Sequence, residues 1–369
     1  MKRLSNLLGL LLLVAIVLSA CAPAATPIVA PVITEAPVVA TEAPVVATEA
    51  PATAIPPTAV PPMIALVPAG QVGTEGFMFL AGEGYKKAAT DFEFKQIILE
   101  SMVTEEWERN VRTVSQDGAN LVVGVGSTMQ DAVKNVAPDF PNTKYILVDS
   151  YTGGDNVEGL ISQEQEGTFL AGVLAAQMTV LPDVINMNPD KVIGFIGGMD
   201  IPVIHRFLSG LQQGVAYIDP TIKIEVAYVG SFADPAKAKE LALTMIQNQK
   251  VDIVYSVCGS YGDAGVFEAV AQTGAYGIGT DISWDEKVPG HVLTSVLKHT
   301  DVAVYNAIQG YLNGDFKAGE LKYGLASGVM DITDMSVIGD LVPQTIKDSI
   351  LKAKQDIIDG KIAVNRPLK

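Results

Sequence analysis

The stretch KVIGFIGGMDIPVIHRFLSGLQQGVAYIDPTIKIEVAYVGS, residues 191–231, contains the pattern that decides the fold class. Its first run, KVIGFIGG (191–198), is continuously apolar rather than alternating, as expected for a parallel strand that is covered on both faces. A segment with helical spacing of its apolar residues follows at 201–217, and a second strand-like run, IKIEVAYVGS, follows at 222–231. A strand, a helix and a strand in this order predict a βαβ unit with parallel strands.

The same succession recurs from Met63 to the end of the chain. Further predicted strands are IALVP (64–68), FKQIIL (94–99), NLVVGVG (120–126), KYILVDS (144–150), VDIVYSV (251–257), YGIGTD (276–281) and VLTSVL (292–297). Further predicted helices cover 104–117, 164–179, 235–248, 262–273 and 301–313. Asp234-Pro235 is a favourable helix start, because Asp is a good cap and Pro loses no hydrogen bond at the first helical position. Alternating strands and helices over about 300 residues predict an α/β protein with two doubly wound parallel sheets.

Residues 1–20 have the pattern of a secretory signal peptide: a basic start, an apolar run from Leu4 to Leu18, and small residues at the end. The sequence LSAC that ends at Cys21 resembles the lipobox of bacterial lipoproteins, in which the cysteine is lipidated and becomes the new N-terminus. An ordinary signal peptide followed by a chance cysteine is the alternative. If Cys21 is lipidated, Cys258 has no disulfide partner within the chain and is predicted to be a small buried apolar residue.

The segment 21–62 is predicted to be a lipidated cysteine followed by a disordered tether. Its composition is dominated by Ala, Pro, Val, Thr and Glu, and TEAPVVA occurs at both 34–40 and 41–47. The proline in each copy removes a helical hydrogen bond, so the seven-residue period does not indicate a coiled coil. The folded region is therefore predicted to be 63–369.

Composition excludes several classes of function. The formal net charge of −16 makes nucleic acid and anionic lipid headgroups unfavourable partners and suits a soluble, exported monomer. The histidines His205, His291 and His299 have no zinc-site spacing, and the sequence contains no HExxH, G-x-S-x-G or Walker motif. The chain is therefore predicted to have no metal, no cofactor and no catalytic residues.

The stretch FIGGMDIPVIHRFLSGLQQGVAYIDPTIKIEVAYVGSFADPAKAKELAL (195–243) resembles the basic membrane protein family of bacterial lipoproteins, the substrate-binding components of nucleoside ABC importers. EGTFLAGVLAAQM (166–178), VLTSVLKHTDVAVYNAI (292–308) and VPQTIKDSILKAK (342–354) extend the resemblance over the folded region. It implies a type I periplasmic-binding-protein fold, in which two α/β lobes joined by three crossovers close on a ligand. Lobe 1 would comprise about 63–160 and about 295–320, and lobe 2 about 161–294 with part of the C-terminal segment.

The resemblance also implies a set of ligand-binding residues: Phe77, Asp149, Phe232, Gly259, Asp281 and Lys298. In this family the residue matching Asp149 accepts hydrogen bonds from the purine edge, and a carboxylate facing an N–H donor is chemically reasonable. Phe77 and Phe232 match aromatic residues that stack on the base, while Asp281 and Lys298 match the pair that holds the ribose hydroxyls.

Asp149, the two phenylalanines and Lys298 also have structural alternatives. Asp149 is followed by Ser150 and can instead cap a loop, and an isolated Phe most often packs in a core. Lys298 can be a solvated lysine, which is the usual environment of that residue.

The chain departs from the family between residues 67 and 79, which read VPAGQVGTEGFMF. Pro68 stands where a ligand-binding Asp is expected and Met78 where an Asn is expected. Two polar contacts to the sugar are therefore absent or are supplied by Gln71, Thr74 or Glu75. This departure affects the expected ribose site more than the expected base site.

Together the residues and the resemblance predict a lipid-anchored, extracytoplasmic solute-binding protein that delivers a purine nucleoside to an ABC permease. One alternative keeps the fold but binds a free nucleobase or a non-nucleoside solute. Another is a tethered sensor that presents its ligand-bound form to a membrane receptor. Contact with the membrane is predicted to occur through the lipid anchor alone.

Overall fold

A computed structural model describes residues 60–367 of the chain. The predicted signal peptide, Cys21 and the predicted tether as far as residue 59 lie outside the described residues. No helix among residues 60–367 is long and apolar enough to span a bilayer.

The described strands and helices alternate along most of the chain. The strands are β1 (Met63–Pro68), β2 (Lys95–Ile98), β3 (Leu121–Val125), β4 (Lys144–Val148), β5 (Val157–Ser162), β6 (Val192–Gly197), β7 (Lys223–Tyr228), β8 (Val251–Val257), β9 (Tyr276–Asp281), β10 (Val292–Lys298), β11 (Gly319–Tyr323) and β12 (Met330–Ile332). The α-helices are α1 (Gly76–Asp91), α2 (Glu105–Gln116), α3 (Gln130–Val136), α4 (Glu164–Met178), α5 (Pro202–Ile218), α6 (Pro235–Gln249), α7 (Gly259–Thr273), α8 (Thr300–Leu312) and α9 (Gln344–Ile358).

These strands form two six-stranded sheets, one in each lobe. The first sheet has the order β11-β5-β4-β3-β1-β2, and all its neighbouring strands are parallel. The second has the order β12-β10-β9-β8-β6-β7, and its strands are parallel except at the short edge strand β12. The prediction of a two-lobed α/β protein with parallel sheets is confirmed.

The central strands β1, β3 and β8 are buried along their whole length, which explains why they read as continuous apolar runs. Every strand predicted from such a run is present. The strands β5, β11 and β12 were not predicted. Glu158 and Gly159 interrupt the apolar character of β5, β11 is an edge strand with mostly exposed polar residues, and β12 has only three residues.

The chain crosses between the two sheets three times, after β5, after β10 and after β11. Hydrogen bonds join the first and third crossings: the Gln163 amide donates to the Tyr323 carbonyl at 2.6 Å, and the Leu325 amide donates to Glu166 Oε2 at 2.9 Å. The first and third crossings therefore lie side by side between the lobes.

Candidate functional site

The carboxyl ends of the parallel strands in both sheets face the space between the lobes, which is where ligands bind in open α/β sheets. Asp149 follows β4 of the first sheet, whereas Asp281 and Lys298 are the last residues of β9 and β10 in the second. Asp149 and Asp281 both have left-handed backbone conformations, with φ of 70° and 67°. This conformation is uncommon for residues other than glycine, so both turns hold their carboxylates in constrained positions.

Lys298 lies between two buried carboxylates. Its ammonium donates to Asp149 Oδ2 at 2.7 Å and to Glu164 Oε1 at 2.9 Å. The lysine is only 2% exposed, so the alternative of a solvated lysine is wrong. The sequence-based expectation grouped Lys298 with Asp281, but the hydrogen bonds of the ammonium go to Asp149 and Glu164.

Arg206 completes this cluster from α5. Its Nε donates to Glu164 Oε2 at 2.5 Å, and one terminal nitrogen contacts Glu164 Oε1 at 3.1 Å and the Asp149 carbonyl at 3.5 Å. The close approach of α5 to α4 makes this contact possible, since a Cβ at Gly210 would collide with the Gln165 carbonyl. We call Asp149, Glu164, Arg206 and Lys298 the buried charge cluster.

Sequence reasoning missed Glu164 and Arg206. A signal for Arg206 was present, because the arginine lies on the face of α5 that is otherwise made of buried apolar residues such as Val203, Phe207 and Leu211. An arginine on a buried helical face requires an anionic partner. Glu164 gave no comparable signal, because an acidic residue in the first turn of a helix is usually explained by the helix dipole.

The pKa values of the cluster reflect its ion pairs. Burial alone would raise the pKa of Glu164, but the adjacent Arg206 and Lys298 lower it to about 2. Burial acts to lower the pKa of Lys298, and the neighbouring carboxylates of Asp149 and Glu164 outweigh it and raise the pKa. Both members of this pair are therefore charged at neutral pH. Burial raises the pKa of Asp149, against the lowering effect of Lys298.

Several hydrogen-bonding groups at this site have no partner among residues 60–367. Asp149 Oδ1 is buried and accepts no hydrogen bond there, although Oδ2 of the same carboxylate is paired with Lys298. The hydroxyl of Tyr255, a buried residue of β8, has no partner either. Asp281 is half-buried, no side-chain hydrogen bond joins it to another described residue, and burial raises its pKa to about 6. The site therefore has open acceptors near a cluster whose cations are already paired.

The predicted aromatic residues lie on opposite lobes. The Phe77 ring of α1 packs against the Lys298 ammonium, with 4.9 Å between Nζ and the ring centroid. Phe232 is half-buried and packs on the backbone at Gly198 and Gly259, which leave room for the ring because they have no Cβ. The structure thus brings Phe77, Asp149 and Lys298 together, and it brings Phe232 together with Gly259.

A cavity of about 330 Å³ borders the buried charge cluster. Its lining comes from both lobes and includes Ser127, Gln130, Asp149, Ser150, Val203 and Arg206. Of the predicted ligand-binding residues, Asp149 alone is part of this lining. The volume lies within the range of small-molecule sites, which is about 300–1,000 Å³.

The lobes also touch at residues outside the cluster. The N-terminus of α1 meets that of α7, where a Cβ at Gly76 would collide with Ser260, and Glu75 forms an exposed ion pair with Lys287 of the other lobe. Glu75 is thus engaged across the cleft, while Gln71 and Thr74 are exposed.

Cys258 is fully buried as predicted, and its thiol donates to the Ile196 carbonyl at 3.1 Å. Burial raises the pKa of this thiol, so it is unreactive. Within the described residues, no group of three or more His, Cys, Asp or Glu side chains could hold a metal ion.

Comparison with known proteins gives a consistent result. A family model described as "ABC transporter substrate-binding protein PnrA-like" matches residues 62–366. The chain is 31% identical over 312 residues to the ABC transporter nucleoside-binding protein BmpA of Lactococcus lactis subsp. cremoris, covering 80% of this chain and 84% of that protein. It is 27% identical over 311 residues to basic membrane protein A1 of Borrelia garinii subsp. bavariensis, covering 82% of this chain and 88% of that protein.

The fold is also similar to a solved structure. An ABC transporter solute-binding protein from Aeropyrum pernix K1 superimposes with a TM-score of 0.73 at 28% sequence identity. The match covers 84% of this chain and 94% of that one, so the similarity includes both lobes.

Proposed function

The chain belongs to the Bmp family of PnrA-like substrate-binding proteins of ABC transporters, as the sequence resemblance indicated, and from this we propose that it captures a purine nucleoside between its lobes. As a member of this family it works outside the cytoplasm, binds a small molecule for a permease and is not an enzyme. We further propose that it is a monomer anchored to the membrane by a lipid on Cys21.

The observation that carries this proposal is the pair of open carboxylate acceptors, Asp149 Oδ1 and Asp281, at the ends of strands in different lobes. A purine nucleoside offers donors at two separate places, the N–H groups of the base and the hydroxyls of the ribose. One carboxylate for each end supports a bound nucleoside, and charged hydrogen bonds of this kind contribute about 1.5–3 kcal/mol each. Phe232, half-buried on lobe 2, offers a face for stacking on the base.

In this proposal the ligand stabilises the closed arrangement of the lobes. A ligand held by groups of both lobes binds the closed arrangement more tightly and shifts the population towards it. The side-by-side crossings allow such a movement with little change inside either lobe.

Thermal denaturation tests the proposal directly. Protein freed of any co-purified small molecule by unfolding and refolding should melt at a higher temperature with inosine, adenosine or guanosine. Ligand at a hundred times its Kd stabilises the native state by about 2.7 kcal/mol. The absence of a shift with every purine nucleoside, together with a non-purine solute identified by mass spectrometry in the untreated protein, would contradict it.

A free nucleobase is the second candidate, favoured by the apolar character of the first lobe near the cleft. Pro68 ends β1, and the Met78 side chain lies near Gly126 at the end of β3, so neither position supplies a polar group to a sugar. Calorimetry with inosine and hypoxanthine separates the candidates. A nucleoside site binds inosine more tightly, whereas a base site binds hypoxanthine at least as well.

A further inference from the structure

Both cations of the buried charge cluster are already occupied by carboxylates of the protein. Lys298 donates to Asp149 and Glu164, and Arg206 donates to both oxygens of Glu164. Glu164 is fully buried, and Arg206 and Lys298 are 3% and 2% exposed, so these contacts are largely shielded from solvent. Each cation therefore already has a carboxylate of the protein as its partner, which weakens its attraction for an anionic group of a ligand.

The net charge of the site also disfavours an anionic ligand. The cluster contains two carboxylates and two cations, and Asp281 adds a third carboxylate that acts electrostatically on Lys298. When all these groups are ionised, the site is negative overall. A phosphorylated ligand would meet this charge in a setting of low dielectric, where repulsion is strong.

Glu164 is central to this arrangement, because it is the carboxylate that contacts both cations. By sharing the ammonium with Asp149, it keeps Lys298 beside Asp149 Oδ2 and leaves Oδ1 as the open acceptor. Arg206 keeps Glu164 ionised and in place, with a contact to each of its oxygens. Neither Glu164 nor Arg206 is among the residues that the sequence pointed to.

We propose that Glu164, held by Arg206, is a positioning residue that commits Lys298 to protein carboxylates and thereby makes the cleft select uncharged, donor-bearing ligands over anionic ones. The inference rests on the proposed function in so far as the ligand is a nucleoside. It extends that function by assigning the rejection of phosphorylated forms to a residue that the ligand need not touch.

Inorganic phosphate is the first probe, because it tests Glu164 without any nucleoside. The melting temperature is compared in phosphate and in chloride at equal ionic strength for wild type, Glu164→Gln and Glu166→Gln. Glu166 is a matched control: it lies two residues further along α4, and it contacts the Leu325 amide and not Lys298. We expect phosphate to raise the melting temperature, relative to chloride, in Glu164→Gln and in neither of the other two proteins. Adding Lys298→Met to Glu164→Gln should abolish this increase.

Two results of the phosphate experiment would overturn the proposal. One is a folded Glu164→Gln that gains no more from phosphate than wild type does. The other is an equal gain in Glu166→Gln, which would show that the change in net charge suffices. If Glu164→Gln does not fold, the double variant Glu164→Gln/Arg206→Gln replaces it. This variant leaves no arginine charge buried without a partner, and it still removes one of the two carboxylates that contact Lys298. A phosphate response equal to that of wild type would then be decisive against the proposal.

The second probe is the ratio of affinities for inosine and inosine 5′-monophosphate, measured by calorimetry. We expect Glu164→Gln to shift this ratio towards the monophosphate by about tenfold or more, since a charged hydrogen-bond donor becomes free. A merely structural role would weaken both ligands alike. If wild type binds neither ligand, the nucleoside assignment fails, and the phosphate experiment still decides the role of Glu164.

Discussion

Two aspartates at opposite ends of the second sheet, Asp252 buried and Asp281 half-buried, show how a structural polar group differs from a binding group. Asp252, near the start of β8, accepts hydrogen bonds from two residues. The Thr179 hydroxyl lies 2.9 Å from each carboxylate oxygen, and the Asn188 backbone amide donates to Oδ2 at 3.3 Å. Asp281, at the end of β9, has no comparable donor among the described residues. Burial raises the pKa of each to about 6. Asp252 accepts hydrogen bonds from neighbouring residues, whereas the effect that lowers the pKa of Asp281 is the charge of Lys298.

The buried charge cluster shares properties with both aspartates. Each of its cations is paired with a carboxylate of the protein, as in a structural site, yet Asp149 retains one open oxygen, as in a binding site. The cleft end of the molecule therefore combines an ion-paired cluster with carboxylate oxygens that accept no hydrogen bond from the described residues.

The largest effect is expected from removing one charge of the cluster. Arg206→Met leaves Glu164 buried without its main partner and should lower the free energy of unfolding by about 3–5 kcal/mol. Arg112→Met is the matched control, because Arg112 forms its ion pairs with Glu108 and Asp139 on the surface. Urea unfolding should show a lower midpoint for Arg206→Met and little change for Arg112→Met. Equal changes in the two variants would show that the cluster does not stabilise the fold.

A second effect concerns Asp252 and pH. Because the pKa is about 6 in the folded protein and 3.8 in the reference state, protonation favours the native state. The associated stability is fully present below pH 3.8 and is lost as the pH rises through about 6. It amounts to about 3 kcal/mol, since each pKa unit corresponds to 1.36 kcal/mol.

Urea unfolding between pH 4 and pH 7 measures this contribution. Wild type should lose more stability over this interval than Asp252→Asn does, by most of the amount given above. Identical slopes for the two proteins would mean that Thr179 and Asn188 keep the Asp252 carboxylate ionised throughout.

The sequence predicted the strands with continuous apolar runs and the acidic and basic residues at their carboxyl ends, because both depend on local patterns. It did not predict β5, where Glu158 and Gly159 interrupt the pattern. It also did not predict the contacts of Glu164, which joins Arg206 of α5 and Lys298 of β10 at separations of 42 and 134 residues. Ion pairs between distant elements depend on how helices pack, and a single sequence carries little information about that packing.

The most direct measurement compares the two aspartates as ligand-binding groups. Calorimetry with a purine nucleoside is made on wild type, Asp281→Asn and Asp252→Asn, which carry the same isosteric change at opposite ends of the sheet. We expect Asp281→Asn to weaken binding about tenfold, since a charged acceptor becomes neutral, and Asp252→Asn to leave the Kd unchanged. Equal affinities in all three proteins, or equal losses in both variants, would contradict the claim that the open acceptors of the cleft hold the ligand.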